Sequence, residues 1–284
     1  MGAAGWALVS ALFGGLGVVL QQKGAMSAPP AGSARFVAAI LRTPIWLAGA
    51  ACQVACWACQ GIALSKGALA LVQPLVSLQI VVALPLGVAL TGQRVGRREW
   101  VGAAFVVAGI TVFVAATNSG AGRPTAPAGV WLAASGIVVA LTAVAAVVGA
   151  RARASMRAAL LGAAAGVLFG YQAAVMKVFV GVVPGGIGAI LGSWSTYALI
   201  ASAAGGFYLF QGALQAGALA PAVATSNAAC PVTSVVLGRL VFLESPQRTT
   251  GGKIVSAVAV VLALAGLALL ARGEAGRKLD AAAT

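Results

Sequence analysis

The sequence contains no histidine and only four acidic residues among 284. The absence of histidine excludes a metal site built on imidazole, and four carboxylates leave little material for an acidic catalytic pair. The sequence also shows no nucleophile–base motif, phosphate-binding loop or ATP-binding motif. We therefore expect that the protein is not an enzyme, that it carries no cofactor and that it does not hydrolyse ATP.

The four cysteines all lie inside apolar runs, so a disulfide framework in the loops is excluded. Three of them, Cys52, Cys56 and Cys59, occur in "CQVACWACQ" (52–60) at the spacing that places them on one stripe of a helix. Three sulfurs on one helix lack a fourth ligand nearby in the sequence, so we interpret them as small packing residues and predict no metal site.

What the chain does contain is apolar sequence: 61% of the residues are hydrophobic, 8% are charged and the mean hydropathy is +1.02. Apolar runs of about 20 residues, separated by short polar breaks, are typical of helices that cross the bilayer. The predicted fold is an all-α polytopic membrane bundle with nine spans. We place these spans 1 to 9 near 5–22, 45–64, 68–91, 100–117, 128–149, 157–177, 194–215, 219–243 and 252–271. The intervening 23–44 and the Gly-rich 178–193 are predicted to be non-helical, apart from a short interfacial segment in the latter.

The formal net charge of +14 is distributed unevenly across this predicted topology. Twelve of the 18 cationic residues fall on one side, which the positive-inside rule makes cytoplasmic. The amino terminus is then outside and the carboxyl terminus inside, in the cytoplasmic membrane. The positive charge is interpreted as an orientation signal and not as a nucleic-acid surface.

Similar stretches recur along the chain at an offset of 150 to 157 residues. "LFGGLGVVLQQK" (12–23) resembles "LFGYQAAVMK" (168–177), and "CQGIALSKGALA" (59–70) resembles "FQGALQAGALA" (210–220). An odd number of crossings separates the copies, so the repeat is predicted to be inverted, as in many secondary transporters. The predicted organisation is a first four-helix repeat at 1–118, a linking helix with its loops at 119–156, a second repeat at 157–272 and a disordered tail at 273–284.

A third matched pair carries a family resemblance. "TGQRVGRREWVGAAFVVAGI" (91–110), with its counterpart "LESPQRTTGGKIVSAVAVVLALAGL" (243–267), resembles the signature of the drug/metabolite transporter superfamily, which includes EamA-like proteins. The signature glutamate is Gln93 in the first copy and Glu244 in the second. "LRTPIWLAG" (41–49) and "LVQPL" (71–75) look like the NIPA-type magnesium transporter branch. The resemblance implies a transporter fold and suggests export.

One departure from the NIPA branch counts against magnesium as the substrate. That branch carries a Glu and an Asn in its second helix, and the matching positions here are Trp57 and Gln60. Magnesium normally binds through one or two carboxylates, and the predicted spans contain none away from their ends. Magnesium therefore remains an alternative, held by amide and carbonyl oxygens.

A polar stripe on span 2 consists of Gln53, Trp57 and Gln60. Amides exposed to lipid are costly, so this stripe is predicted either to line a wet cavity or to form hydrogen bonds between helices. Spans 3 and 8 each contain two prolines, Pro74 with Pro85 and Pro221 with Pro231, which we interpret as helix breaks. Matching breaks in two halves are typical of a transport site, and ordinary packing kinks are the alternative. The candidate substrate-binding residues are Gln53, Trp57, Gln60, Gln73, Pro74, Ser77, Gln79, Tyr171, Gln172, Tyr208, Gln211, Thr225, Ser226, Asn227 and Pro231.

Two further features have predominantly structural interpretations. Lys23 and Lys177 occupy matching places in the repeat, and we favour snorkelling to the interface over pairing with an anion. Gly162, Gly166 and Gly170 recur every four residues, which predicts close contact between helices.

These observations favour a secondary transporter of a small neutral, zwitterionic or anionic metabolite. The alternatives are a NIPA-like divalent-cation transporter and a lipid-handling or non-transporting scaffold. The expected partners are the solute and the bilayer, with no nucleic acid, and a homodimer is possible.

Overall fold

A computed structural model describes residues 1–26, 42–91, 96–116, 122–215 and 219–244, together with scattered residues between 255 and 269. Within these residues the protein is almost entirely helical and contains no β-strand. The helices are α1 (Ala3–Met26), α2 (Pro44–Lys66), α3 (Leu69–Ser77), α4 (Gln79–Thr91), α5 (Arg97–Ala116), α6 (Ala128–Ala150), α7 (Ala154–Val182), α8 (Gly186–Gly192), α9 (Trp194–Gln215) and α10 (Leu219–Phe242).

Among the residues that the structure describes, five helical segments are long and apolar enough to cross a membrane, so the protein is a helical membrane protein. They are Ala3–Gln21, Pro44–Lys66, Leu69–Leu90, Ala128–Ala150 and Met156–Gly192. The count of nine spans stays a prediction, since most of span 9 and the whole tail at 273–284 lie outside the described residues.

Span 3 is divided into two helices, α3 and α4, at Leu78. The Leu78 N–H donates to Leu75 O and the Val81 N–H donates to Leu78 O, so the backbone bonds here close over three residues instead of four. Ser77 also donates its hydroxyl to Gln73 O at 3.0 Å, a back-bond that often bends helices. The break therefore follows Pro74 by four residues and does not lie at either predicted proline.

Two predictions about other segments are wrong. α10 continues through Pro231 as one helix, so span 8 is not broken. Pro221 lies in its first turn, where a missing N–H costs nothing. The region 178–193 is mostly helical, because α7 continues to Val182 and α8 follows a single 3₁₀ turn at Val183–Gly185.

The helices form two groups, each around a central helix. α1 packs against α2, α3 and α4, and α7 packs against α9, α10 and α6. α1 and α7 run in opposite directions. Ala3, at the start of α1, packs against Gly67 just before α3, and Lys177, near the end of α7, contacts Glu244, which binds the first residues of α3.

Glycines bring α7 into close contact with α10, as their spacing predicts. A Cβ atom on Gly170 would lie 2.6 Å from Cys230 O and 2.6 Å from the Thr233 side chain. Gly162 and Gly166 face the backbone of Ala222 and Ser226 in the same way. Only glycine allows the two backbones to approach this closely.

Candidate functional site

A cavity of about 850 Å³ lies between the two helix groups, about halfway along the helices. Its walls come from α1, α2, α3 and α4 in the first group and from α7, α9 and α10 in the second. Gly15 of α1 lines it from the first group and Phe207 of α9 from the second. The volume is within the range of small-molecule sites.

Amide and hydroxyl groups supply the polar part of the lining, and none of the described lining residues carries a charge. Ten of the fifteen candidate residues lie here. They are Gln53, Trp57, Gln60, Gln73, Ser77, Gln79, Gln172, Ser226, Asn227 and Pro231.

The amides of the cavity differ in their hydrogen bonding. Gln60 Nε2 donates to Gln73 Oε1 at 3.1 Å, which links α2 to α3. The side chains of Gln53, Gln79 and Gln172 have no hydrogen-bond partner within the described part of the chain. The stripe on span 2 therefore combines both predicted roles, a bond between helices and polar groups that face the cavity.

Aromatic and sulfur-containing side chains supply much of the remaining wall. Phe169, Met176, Phe207 and Phe210 come from the second group, and Trp57 comes from the first. The rings of Phe169 and Phe210 meet edge to face with centroids 6.4 Å apart. Such a wall accommodates the apolar face of a solute while the amides bind its polar atoms.

The remaining candidate residues are not brought to the cavity. Pro74 is buried in α3, and Thr225 donates to Ala159 O at 2.9 Å in the contact with α7. Tyr171 is buried and its hydroxyl bonds to Ser135, whereas Tyr208 is 77% exposed on the outer surface. The side chain of Gln211 lies outside the described residues.

A buried ion pair of the second group lies against the first group at one end of the bundle. Lys177 Nζ lies 2.5 Å from Glu244 Oε1, and the two side chains are 6% and 1% exposed. The Glu244 carboxylate also accepts from the backbone N–H groups of Leu69 at 2.7 Å and Ala70 at 3.0 Å. We call this cluster of Lys177, Glu244 and the first residues of α3 the ion-pair end.

The backbone around Glu244 is shaped to direct its side chain inward. Leu243 has a φ of 55°, in the left-handed region, and the Glu244 N–H donates to Gly238 O at 3.0 Å. A Cβ on Gly238 would lie 2.5 Å from Glu244 Oε2, so glycine leaves room for the carboxylate. Arg123 covers the last turn of α10, donating from Nε to Val241 O at 2.6 Å.

Aromatic rings pack around the same end. Trp131 is buried and contacts Tyr171, Trp194 and Phe242 at centroid separations of 6.1, 4.9 and 5.9 Å. Lys177 Nζ lies 4.5 Å from the centre of the Phe242 ring. The positive charge therefore meets a carboxylate and a ring face, both of which stabilise it.

The prediction that Lys177 snorkels to the interface is wrong, because its ammonium group is buried against Glu244. The available signal was the single carboxylate of the second repeat signature, Glu244, which lies one residue beyond predicted span 8. Lys177 closes predicted span 6 on the same side of the membrane, so parallel packing of spans 6 and 8 brings the two charges together.

The cysteines are dispersed among packing contacts. Cys56 is buried, and Ser10 of α1 donates to its carbonyl oxygen at 2.9 Å. Cys59 is also buried, Cys52 is half-buried, and Cys230 lines the cavity. All four are free thiols.

The fold and cavity define the class of protein: a polytopic helical membrane protein with a chamber between two helix groups, whose described lining combines an apolar wall with uncharged amide and hydroxyl groups. The chain is 30% identical over 275 residues to an uncharacterized protein of Corynebacterium glutamicum, covering 94% of this chain and 93% of that one. It belongs to the same family as this protein. No family model matches the sequence, and no solved structure matches it.

Proposed function

We propose that the protein is a secondary transporter that moves a small polar solute across the cytoplasmic membrane by alternating access. The observation that carries the proposal is the cavity between the two groups, lined by uncharged amides about halfway along the helices; transporter sites typically lie near the bilayer midplane. A solute bound there could be reached from either side as the groups move relative to each other.

The arrangement of the two groups supports this proposal. The central helices α1 and α7 correspond in the proposed repeat and run in opposite directions. Gly14 of α1 contacts Gln79 of α4, while Gly170 of α7 contacts Cys230 and Thr233 of α10. Related units with opposite orientation favour two access states of similar free energy.

The likeness to drug/metabolite transporters in 91–110 and 243–267 supports the same function and favours export. The distribution of cations favours a cytoplasmic carboxyl terminus. Under this topology the ion-pair end faces outward.

The lining indicates which solutes fit best. Amides donate and accept hydrogen bonds, and the absence of a carboxylate among the described lining residues disfavours organic cations and magnesium. A neutral or zwitterionic solute with an apolar face matches the amides of Gln53, Gln79 and Gln172 together with the ring of Phe207. An anion small enough to accept from several amides also fits.

A melting screen of the purified protein tests the proposal. A neutral sugar, zwitterionic amino acids, small carboxylates and magnesium chloride are each added, and compounds that raise the melting temperature are then tested for counterflow in proteoliposomes. We expect a small polar organic solute to do both. Gln53→Leu should weaken its binding by up to about tenfold, the effect of losing one good hydrogen bond.

Gln21→Leu provides the matched control, because Gln21 is an amide on α1 that does not line the cavity. It should leave binding unchanged. Stabilisation and flux by magnesium alone would replace the proposal with a divalent-cation transporter. Lipid scrambling without flux of any solute would replace it with a lipid-handling function.

A further inference from the structure

Among the described residues, the contacts between the two helix groups are concentrated at the ion-pair end. Gly61 of α2 faces Val180 of α7, and the backbone of Leu69 and Ala70 binds Glu244. α3 packs against both α10 and α7. α4, which continues from α3 towards the opposite end, makes at most isolated contacts with the second group within the described residues.

The ion-pair end lies directly beside the cavity on one side. Met176, adjacent to Lys177, lines the cavity, and Gln73 lies one turn after the α3 residues that bind Glu244. The Gln60 to Gln73 hydrogen bond adds a second polar link at this level. A solute in the cavity is therefore separated from the ion-pair end by only about one helical turn.

From these contacts we propose that the ion pair of Lys177 and Glu244, docked on the first residues of α3, is the closed gate of the cavity, and that a solute reaches the cavity from the opposite end. This inference rests on the proposed transport function. Glu244 and Lys177 belong to the second group and α3 to the first, so separation of the groups breaks the two backbone bonds to the carboxylate.

The physical character of the cluster suits a gate. A buried ion pair contributes little net stability, because loss of hydration offsets its attraction. In the open state both charges face water, so the free energies of the closed and open states stay close. The glycine at position 238 leaves room for the Glu244 carboxylate, and the left-handed Leu243 directs it to its partners.

Site-directed labelling tests the gate without requiring a known solute. In a full-length protein with all four cysteines changed to alanine, Ser77→Cys introduces one thiol into the cavity wall. The protein is reconstituted into vesicles, and an amino-terminal tag identifies the side on which the amino terminus lies. A membrane-impermeant methanethiosulfonate reagent is then added to each side in turn, and the labelling rate is measured.

We expect the parent protein to react mainly from the side opposite the amino terminus. Glu244→Gln or Lys177→Met should raise the rate from the amino-terminal side by about tenfold or more, because a lone buried charge favours the open, hydrated state. Glu244→Asp, which keeps the charge, should have a smaller effect. Lys66→Ala, at an exposed lysine of the same end, should have none.

Several results would overturn the gate. These are parent labelling that is equal from both sides or faster from the amino-terminal side, a thiol that is inert from both sides in every variant, and unchanged rates in both gate variants. Size-exclusion profiles and melting curves confirm that each variant is folded. Side-dependent labelling that responds to Glu244→Gln, with no flux of any solute, would support the gate and reject transport.

Discussion

The ion-pair end and the cavity both place polar side chains inside an apolar bundle, but they satisfy them differently. At the ion-pair end the protein supplies the partners itself: the Glu244 carboxylate accepts from Lys177 and from two backbone N–H groups. In the cavity the amides of Gln53, Gln79 and Gln172 have no partner within the described residues. One region completes its own hydrogen bonds, and the other leaves them for water or a solute.

This difference distinguishes polar groups that stabilise the fold from polar groups that are available to bind a ligand. Removing a group at the ion-pair end leaves another buried group without its partner, which destabilises the protein. Removing Gln53, Gln79 or Gln172 leaves no other described group without its partner, so the expected loss is in ligand binding. The free energy of unfolding should therefore distinguish the two regions.

Lys177→Met should have the largest effect. It leaves the Glu244 carboxylate buried without its cation, and breaking a buried pair in this way typically costs about 3–5 kcal/mol. Chemical unfolding in detergent measures the loss. The double variant Lys177→Met with Glu244→Gln should recover part of it, because no charge then remains in the cluster. Equal stability of Lys177→Met and the parent would contradict the assigned role of the pair.

Gly170→Ala should come next, because it forces α7 away from α10 in the wall beside the cavity. The new Cβ would meet backbone oxygen 2.6 Å away, and overpacking of this kind typically costs about 1–3 kcal/mol. Gly136→Ala on α6 is the matched control, since a Cβ there meets nothing within 4 Å. The control should be neutral or stabilising by up to about 1 kcal/mol. Equal losses for both would show that the spacing of α7 and α10 is not limiting.

Gln60→Leu and Gln53→Leu compare two amides from the same stripe. Gln60→Leu removes the bond to Gln73 and should cost about 0.6 kcal/mol, the average for side-chain hydrogen bonds between membrane helices. Gln53→Leu should leave the unfolding free energy nearly unchanged, because its amide has no partner among the described residues. If Gln53→Leu lowered the free energy of unfolding more than Gln60→Leu, Gln53 would stabilise the fold and would not be available to a ligand.

Local patterns in the sequence predicted most helix positions and much of the cavity lining. Apolar runs predicted α1, α2, α6 and α9 to within a few residues. The cost of exposing amides to lipid predicted that Gln53 and Gln60 face the interior of the bundle. These features depend on neighbours in the chain. Hydropathy therefore carries the necessary information.

Features that depend on distant neighbours were predicted less well. The pairing of Lys177 with Glu244 requires knowledge of how α7 and α10 pack, since 67 residues separate the two charges. Tyr171 and Tyr208 both lie on helices that line the cavity, yet the rotation of each helix about its axis buries Tyr171 and exposes Tyr208. Prolines gave the wrong break points because Ser77 back-bonding and tertiary contacts determine where a helix bends.

Trp131→Phe should also change the free energy of unfolding very little, and it tests a buried polar group beside the ion-pair end. Trp131 Nε1 is buried without a hydrogen-bond partner within the described chain. Removing this N–H relieves a penalty of about 1–3 kcal/mol. The smaller ring loses packing against Trp194 and Phe242, a loss of similar size and opposite sign. Unfolding measurements should therefore show a change close to zero.

The exposed Trp194 gives the comparison, because Trp194→Phe removes the same atoms from a side chain that is 45% exposed. Its N–H can reach partners outside the core, so this variant relieves no penalty. If Trp131→Phe destabilised the protein by as much as a broken buried hydrogen bond, the indole N–H would have a partner. Every buried polar group described at the ion-pair end would then be paired, and its contrast with the cavity would be complete.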